Sequence, residues 1–201
     1  MQNNAPNFTP KRSGSKLEHK IAGFVIIFAW TACTIPTLFG QQDVHAALIS
    51  AANRKPAPTF QLVTDSGRKI RTSDYRGKVV LLNFWATECG GCVLEIPSFI
   101  EVEKAYKDEG FSAIGVSMDI LYESLKDANE AWAKVRPFMA KRGINYTIAM
   151  GDDAISKAYA LNAFPATYLI DKSGRIAVAY LGVVVNNDKV AKNIKNIISE
   201  Q

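Results

Sequence analysis

Residues 78–92 read KVVLLNFWATECGGC, and this stretch decides the fold. Its first eight residues form a nearly continuous apolar run of strand length, which is typical of a central strand that is buried on both faces and paired in parallel. Directly after the run, Cys89 and Cys92 stand two residues apart. The stretch therefore predicts a buried strand that delivers a pair of cysteines to the start of a helix.

The segments around this stretch alternate between strand-like and helical patterns. Residues 56–77 (PAPTFQLVTDSGRKIRTSDYRG) contain two short extended stretches around the turn Asp65-Ser66-Gly67, so they predict a β-hairpin. Beyond the cysteines, apolar residues at helical spacing continue to Gly110, and residues 111–117 (FSAIGVS) predict a second buried strand. Strand, helix and strand in this order form a βαβ unit.

The second half of the chain predicts further helices and a second hairpin. One helical pattern is interrupted at Pro137, and a short helix is expected over residues 154–161. Residues 167–182 predict the hairpin, and a last amphipathic helix begins at Asn187 or its neighbour. The predicted fold class is α/β, with a central mixed β-sheet flanked by helices and an N-terminal β-hairpin extension.

The composition is that of a globular protein with one domain and an appendage. Of the 201 residues, 48% are hydrophobic and 21% are charged, which is enough for one core. The net charge is +5, but basic and acidic residues are interleaved beyond the first 46 residues. Interleaved charges are typical of a solvated surface rather than of a stripe that follows phosphates, so no nucleic-acid partner is predicted.

The histidine count excludes several classes of enzyme. Both histidines of the chain, His19 and His45, lie in the first 46 residues. A Ser-His-Asp hydrolase, a Cys-His protease and a His-ligated metal site all need histidine in the folded domain. None of these is therefore predicted, and no metal is expected.

The N-terminus carries an export signal or a membrane anchor. After a basic leader, residues 21–40 (IAGFVIIFAWTACTIPTLFG) run without a charge, which is about enough to cross a hydrocarbon core of roughly 30 Å. The sequence VHA at residues 44–46 resembles a signal peptidase site and favours cleavage. We expect residues 1–46 to be a leader plus signal peptide or membrane anchor, residues 47–55 a linker, and residues 56–201 the folded domain. Either way the domain is predicted in the periplasm or on the extracytoplasmic face of the inner membrane, where disulfides form.

The spacing of Cys89 and Cys92 suits dithiol–disulfide chemistry. Two intervening residues let both sulfurs occupy the first turn of a helix, where a disulfide can close. The exposed amides and the positive helix end favour a thiolate on Cys89, the predicted nucleophile, and Cys92 would resolve the mixed disulfide. Haem attachment needs a histidine where Val93 stands, and a zinc ribbon needs a second cysteine pair. A purely structural disulfide stays as the alternative.

Several motifs in one order resemble a known family. They are the run TSDYRGKVVLLNFWAT at residues 72–87, the cysteine pair followed by Glu95 and Pro97, and FPATYLID at residues 164–171 with the hairpin after it. From Pro56 onward the sequence resembles the membrane-associated or periplasmic thioredoxin-like proteins typified by TlpA, ResA and CcmG. The resemblance implies a thioredoxin-like fold and thiol-disulfide oxidoreductase activity.

The resemblance also implies roles for residues outside the cysteine pair. Pro165 corresponds to the cis-proline that faces the cysteines, and Phe164 would offer backbone hydrogen bonds to a bound substrate. Glu95 is assigned to proton transfer at the cysteine pair, since a buried carboxylate near a thiol has a raised pKa; a surface glutamate is the alternative. Asn83 stands where thioredoxin usually has an acid, which favours this role for Glu95. Trp85 is assigned both to the core and to the wall of the substrate site.

Three residues depart from the family pattern. Glu88 replaces the usual aromatic residue before the first cysteine, and an acid there disfavours the thiolate. Gly90 and Gly91 replace a proline-containing pair, which loosens the loop and weakens the helix start. The redox potential and the direction of catalysis are therefore left open by the sequence.

The predicted function is an exported oxidoreductase that reduces protein disulfides. The resemblance implies apocytochrome c as one substrate and a membrane electron donor for re-reduction, and no cofactor is expected beyond the Cys89–Cys92 disulfide. A disulfide oxidant or isomerase, a peroxiredoxin-like peroxidase and a non-catalytic binding module are the alternatives. The peroxidase needs a threonine separated from its cysteine by two residues and a proline further upstream. Here Thr87 is separated from Cys89 by one residue, and Leu82 stands where the proline should be.

Overall fold

The computed structural model describes residues 46–184 and 187–200. The predicted leader, the apolar run and the first two residues of the VHA sequence lie outside this part, so their assignments stay predictions. Within the described residues, no helix is both long enough and apolar enough to cross a membrane.

A seven-stranded mixed sheet forms the centre of the domain. Its strands, in chain order, are β1 (Gln61–Thr64), β2 (Lys69–Arg71), β3 (Val79–Trp85), β4 (Phe111–Ser117), β5 (Thr147–Met150), β6 (Ala166–Ile170) and β7 (Ile176–Leu181). Their order in the sheet is β2-β1-β5-β4-β3-β6-β7. The central strand β3 pairs in parallel with β4 and antiparallel with β6. The hairpin of β1 and β2 joins the sheet through an antiparallel pairing of β1 with β5.

Five α-helices cover the sheet. They are α1 (Gly90–Tyr106), α2 (Asp119–Tyr122), α3 (Ala128–Arg142), α4 (Asp153–Ala158) and α5 (Asn187–Ser199) within the described residues. All seven residues of β3 are buried, and they alternate between two cores. Leu81 and Trp85 face the core that α1, α3 and α5 complete, whereas Leu82 and Phe84 face the core on the α4 side. The predicted mixed sheet with helices on both faces is therefore confirmed.

The structure corrects three details of the prediction. Strand β5 was not predicted, because four residues are too few to establish an alternation. Helix α3 continues through Pro137, which is exposed, so water can satisfy the carbonyl that loses its partner. Helix α4 ends at Ala158 rather than at Leu161, since Ala160 has a φ of 49°, which is incompatible with a right-handed helix.

The segment predicted as a linker is part of the folded domain. Its Ile49 amide donates to the carbonyl of Ala177 in the edge strand β7, at 2.9 Å. The guanidinium of Arg54 is buried and lies 3.2 Å from Asp171, and it also pairs with Glu200 at 2.5 Å. The ion pairs thus tie the N-terminal segment to the end of β6 and to the C-terminus, and residues 49–55 cover part of the exposed edge.

Replacing Arg54 by alanine is expected to cost roughly 2 to 4 kcal/mol of unfolding free energy, because it leaves Asp171 buried without that ion pair. Burial opposes ionisation of Asp171, but hydrogen bonds from Ser173, Arg175 and Arg54 lower its pKa overall. The loss should therefore be present at pH 7 and shrink as the pH falls below about 4. Urea unfolding at neutral and at acidic pH measures both the loss of unfolding free energy and its dependence on pH. Arg175→Ala is the control, since Arg175 contacts the same carboxylate from a partly exposed position; equal losses in the two variants would contradict the expectation.

Candidate active site

Cys89 and Cys92 form a disulfide at the N-terminus of α1, next to the carboxyl end of β3. Their Cα atoms are 5.3 Å apart. Cys89 is the N-cap residue, and its sulfur accepts a hydrogen bond from the Cys92 amide at 3.3 Å. Cys89 is 5% exposed and Cys92 is 1% exposed. In the reduced protein, the amide and the helix end would favour a thiolate on Cys89, the sulfur that is easier to reach.

Pro165 lies against the loop of the cysteine pair. The peptide bond between Phe164 and Pro165 is cis. Pro165 directly precedes β6, and the pairing of β6 with β3 brings it to the sheet edge where the cysteines stand. A Cβ atom on Gly91 would lie 3.6 Å from Cδ of Pro165, which is van der Waals contact. The fold thus places this proline beside the loop residues that separate the two cysteines.

Phe164 contributes an aromatic surface and free backbone groups beside the disulfide. Its ring packs edge-on against Tyr122, with centroids 5.9 Å apart, and Tyr122 is 46% exposed. Within residues 46–184 and 187–200, the N–H and C=O of Phe164 form no hydrogen bond. Pro165 also lines a cavity of about 200 Å³, together with Leu161 and the exposed Leu181. These features suit an extended polypeptide. Tyr122 was not predicted, because it lies far from the cysteines in sequence.

Glu95 is fully buried one helical turn beyond Cys92. Its carboxylate accepts a hydrogen bond from the Val184 amide at 2.6 Å and another from the Asn83 side chain at 3.2 Å. The Asn83 amide also donates to the hydroxyl of Thr167, at 2.9 Å. Residues three apart on a helix have Cβ atoms roughly 5 to 6 Å apart, so the side chain of Glu95 starts on the same side of α1 as that of Cys92.

Burial raises the pKa of Glu95 to about 8, although the hydrogen bonds from Val184 and Asn83 act in the opposite direction. At neutral pH this carboxyl group is therefore largely protonated in the folded protein. A carboxyl group with a pKa near the ambient pH can both give and take a proton, which is what a group that handles protons at a thiol needs. Of the two alternatives from the sequence, a surface glutamate is excluded by the burial.

Trp85 belongs to the core. It is 1% exposed, its ring packs against Phe138 with centroids 5.3 Å apart, and it lies in the same apolar cluster as both cysteines. A side chain that is buried to this extent offers no surface to a docked protein. The assignment of Trp85 to the substrate-binding wall is therefore wrong for this conformation, because Phe138 of α3 covers the ring.

An acidic cluster beside the cysteines was not predicted from the sequence. Asp119 is fully buried at the start of α2 and accepts hydrogen bonds from the amide and the hydroxyl of Thr87, at 3.0 and 2.5 Å, and from Ser117 at 2.8 Å. Glu123 lies 3.2 Å from the same Thr87 hydroxyl. Burial raises the pKa of Asp119, against the hydrogen bonds from Thr87 and Ser117. Asp119 thus fixes the backbone two residues before Cys89.

Lys134 of α3 bridges two acids next to the cysteine pair. Its ammonium group contacts the carboxylate of Glu123 and lies 3.7 Å from that of Glu88. Burial opposes ionisation of Glu123, but the hydrogen bond from Lys134 lowers its pKa overall, and the same bond raises the pKa of Lys134. The charge of Glu88 is therefore partly balanced by Lys134, a cation that the sequence pattern did not reveal.

In the described part of the chain, no three side chains converge as metal ligands.

The two glycines between the cysteines are expected to respond differently to alanine. A Cβ atom on Gly90 meets nothing within 4 Å, so Gly90→Ala should raise the unfolding free energy by up to about 0.5 kcal/mol. On Gly91 it would lie 2.8 Å from Cγ2 of Val183, so Gly91→Ala should cost about 1 to 3 kcal/mol. Thermal unfolding of both variants measures the difference. Adding Val183→Ala to Gly91→Ala should recover most of the loss; no recovery would show that this contact is not the cause.

Exchange between a dithiol and a disulfide is the chemistry that suits a disulfide closed within one helical turn, with an acid–base group beneath it and a cis-proline beside it. The chain is a thiol-disulfide oxidoreductase with a thioredoxin-like fold. It belongs to the AhpC/TSA family, whose model matches residues 54–179.

Individual relatives agree with this class. Thiol-disulfide oxidoreductase ResA of Geobacillus kaustophilus is 30% identical over 183 residues, which cover 90% of this chain and 96% of that protein. Thioredoxin-like protein YneN of Bacillus subtilis is 30% identical over 178 residues, 88% of this chain and 97% of that one. The crystal structure of a thiol:disulfide interchange protein of the thioredoxin family from Chlorobium tepidum has a TM-score of 0.63 and 26% identity, and covers 75% of this chain and all of that one. The predicted resemblance and fold class are confirmed.

Proposed function

We propose that this protein reduces disulfides of exported proteins, with Cys89 as nucleophile, Cys92 as resolving cysteine and Glu95 as the group that transfers protons. The observation that carries the proposal is the carboxyl group of Glu95, buried one turn beyond Cys92 with a pKa of about 8. A structural disulfide needs no such group. Reversible thiol chemistry does, because a proton must leave Cys92 before it can attack.

The steps balance as two electrons and two protons. The Cys89 thiolate attacks one sulfur of the substrate disulfide, that bond breaks, and the leaving sulfur takes up a proton. Glu95 in its deprotonated form then accepts the proton of Cys92, whose thiolate attacks Cys89 and closes the enzyme disulfide while the second substrate sulfur leaves and is protonated. The enzyme disulfide needs an electron donor for the next cycle. A membrane dithiol donor supplies the two electrons, and no further cofactor takes part.

The charges around the cysteine pair support the reducing direction. A strong oxidant of this class is one whose reduced form is stabilised, chiefly as a thiolate. Here the carboxylates of Glu88 and Glu123 lie beside the cysteine loop and share the cation Lys134, which balances only part of their negative charge. The negative charge that remains disfavours a thiolate nearby and so keeps the reduced form easier to oxidise.

The substrate is proposed to dock along Phe164 and Pro165 as an extended segment that holds a cysteine pair. The unpaired backbone groups of Phe164 and the aromatic surface that it shares with Tyr122 support this mode of binding. Apocytochrome c, whose two thiols must be reduced before haem attachment, is the substrate that the family resemblance favours.

The proposed location is the extracytoplasmic side of the membrane, where the N-terminal leader would bring the domain by export or by anchoring. Labelling intact cells with a membrane-impermeant maleimide after reduction tests it on the full chain. Modification of Cys89 in intact cells is the expected result. Modification only after lysis would contradict the export.

The reducing direction is tested by the equilibrium potential of the Cys89–Cys92 pair in a glutathione or dithiothreitol series. A potential near that of thioredoxin, about −270 mV, is expected, whereas one near −120 mV would indicate an oxidant. Peroxide consumption, measured on the same sample, tests the peroxidase alternative that the family name suggests. The hydroxyl of Thr87 is bound to Asp119, which leaves no obvious role for it in peroxide binding.

A further inference from the structure

We infer that Lys134 is a positioning residue for the nucleophile: held in place by Glu123, it neutralises Glu88 beside Cys89 and so keeps the attacking thiol acidic. The inference rests on Cys89 being the attacking thiol, as in the proposed function. It accounts for one of the residues that depart from the family pattern, since Glu88 alone would disfavour the thiolate.

The geometry that carries the inference is a chain of contacts from α3 to the cysteine loop. The carboxylate of Glu88, directly before the nucleophile, lies 3.7 Å from the ammonium group of Lys134. One oxygen of Glu123 contacts that ammonium group, and the other lies 3.2 Å from the hydroxyl of Thr87. Glu123 thus ties Lys134 to the same loop that carries Glu88.

The other titratable groups near Cys89 are acids from several elements. They are Glu95 on α1, Asp119 on α2, Glu123 at the end of α2 and Glu88 in the loop. Asp119 and Glu95 are fully buried, and burial raises the pKa of both carboxyl groups. Lys134 is the cation that the described residues place among them. Its removal leaves Glu88 and Glu123 uncompensated, and their negative charge then opposes ionisation of the thiol.

The effect is expected to be moderate because the pair is partly exposed, 36% for the lysine side chain and 66% for Glu88. Lys134→Met should raise the pKa of the Cys89 thiol by roughly half a unit, which lowers the rate of thiolate attack at pH 6 about threefold. Lys134→Arg keeps the charge and should restore the wild-type rate. High salt should shrink the difference between Lys134→Met and the wild type.

The experiment is alkylation of the reduced full-length chain by iodoacetamide across pH 5 to 9, with peptide mass spectrometry to count modification at Cys89 separately from Cys92 and Cys33. The variants are Lys134→Met, Lys134→Arg, Glu88→Gln and the double variant Lys134→Met with Glu88→Gln. Lys141→Met is the matched control: it removes the same charge from an exposed position about 10 Å further along α3. Thermal unfolding shows that each variant is folded.

The inference predicts a raised Cys89 pKa in Lys134→Met, no change in Lys141→Met, and a return toward the wild-type pKa in the double variant. An unchanged pKa in Lys134→Met would overturn it. The inference would also be overturned if replacing Lys134 raised the Cys89 pKa by the same amount in the Glu88→Gln background, since Lys134 would then not act through Glu88. The proposed function fails in a different way: alkylation of Cys92 before Cys89 would show that the nucleophile is wrongly assigned.

Discussion

Replacing Cys89 by serine is expected to reduce disulfide reductase activity to the uncatalysed background. A hydroxyl group has neither the acidity nor the redox chemistry of a thiol, so no mixed disulfide can form at this position. Cys92→Ser should also lose turnover, but it should accumulate a mixed disulfide between Cys89 and the substrate, because nothing resolves it. Insulin reduction with dithiothreitol measures turnover, and non-reducing gel electrophoresis detects the trapped complex.

Cys33→Ser is the matched control for this experiment. Cys33 lies in the apolar run before the domain, and its loss should leave the activity at the wild-type level. Full activity of the Cys89→Ser variant in a partner-binding assay, together with no disulfide reduction by the wild type, would favour the non-catalytic binding module. A mixed disulfide that is trapped through Cys89 in the Cys92→Ser variant would instead establish that Cys89 attacks first and Cys92 resolves.

The stability of the oxidised protein is expected to fall as the pH rises from 5 to 8, and Glu95→Gln should remove most of this dependence. In the unfolded chain Glu95 loses its proton near pH 4.5, whereas in the folded protein it keeps it up to about pH 8. Between these values the folded state binds more protons, so the free energy of unfolding decreases with pH, by roughly 1 kcal/mol per pH unit. Above pH 8 this contribution levels off.

Glu95→Gln is expected to be more stable than the wild type at pH 8, because it keeps a neutral group that can accept the Val184 amide hydrogen bond at 2.6 Å. Urea unfolding of the oxidised proteins at pH 5, 6, 7 and 8 measures the slope for each. Glu101→Gln, an exposed position on the same helix, should keep the slope of the wild type. If the unfolding free energy of Glu95→Gln kept the pH slope of the wild type, a group other than Glu95 would be responsible for the pH dependence.

Local patterns in the sequence predicted the parts of the site that are contiguous in the chain. The apolar run of β3, the spacing of Cys89 and Cys92 and the helix that follows are each recognisable within a few residues. Characteristic turn residues mark both hairpins in the sequence, so the sequence predicted both of them. Four residues of β5 are too short to show a period, and the sequence alone could not tell that solvent exposure lets α3 pass through Pro137.

The sequence by itself determined the fold class, the cysteine pair as the centre of the chemistry, and the two alternatives for Glu95. Only the tertiary structure decided between them, because Glu95 is buried by segments from elsewhere in the chain, the strand of Asn83 and the loop of Val184. The same holds for Asp119 and Lys134. Parallel strands β3 and β4 end at one edge of the sheet, which brings residues more than thirty positions apart beside the cysteine loop. Electrostatic interactions depend on distance in space, so a chain pattern cannot reveal which charges meet there.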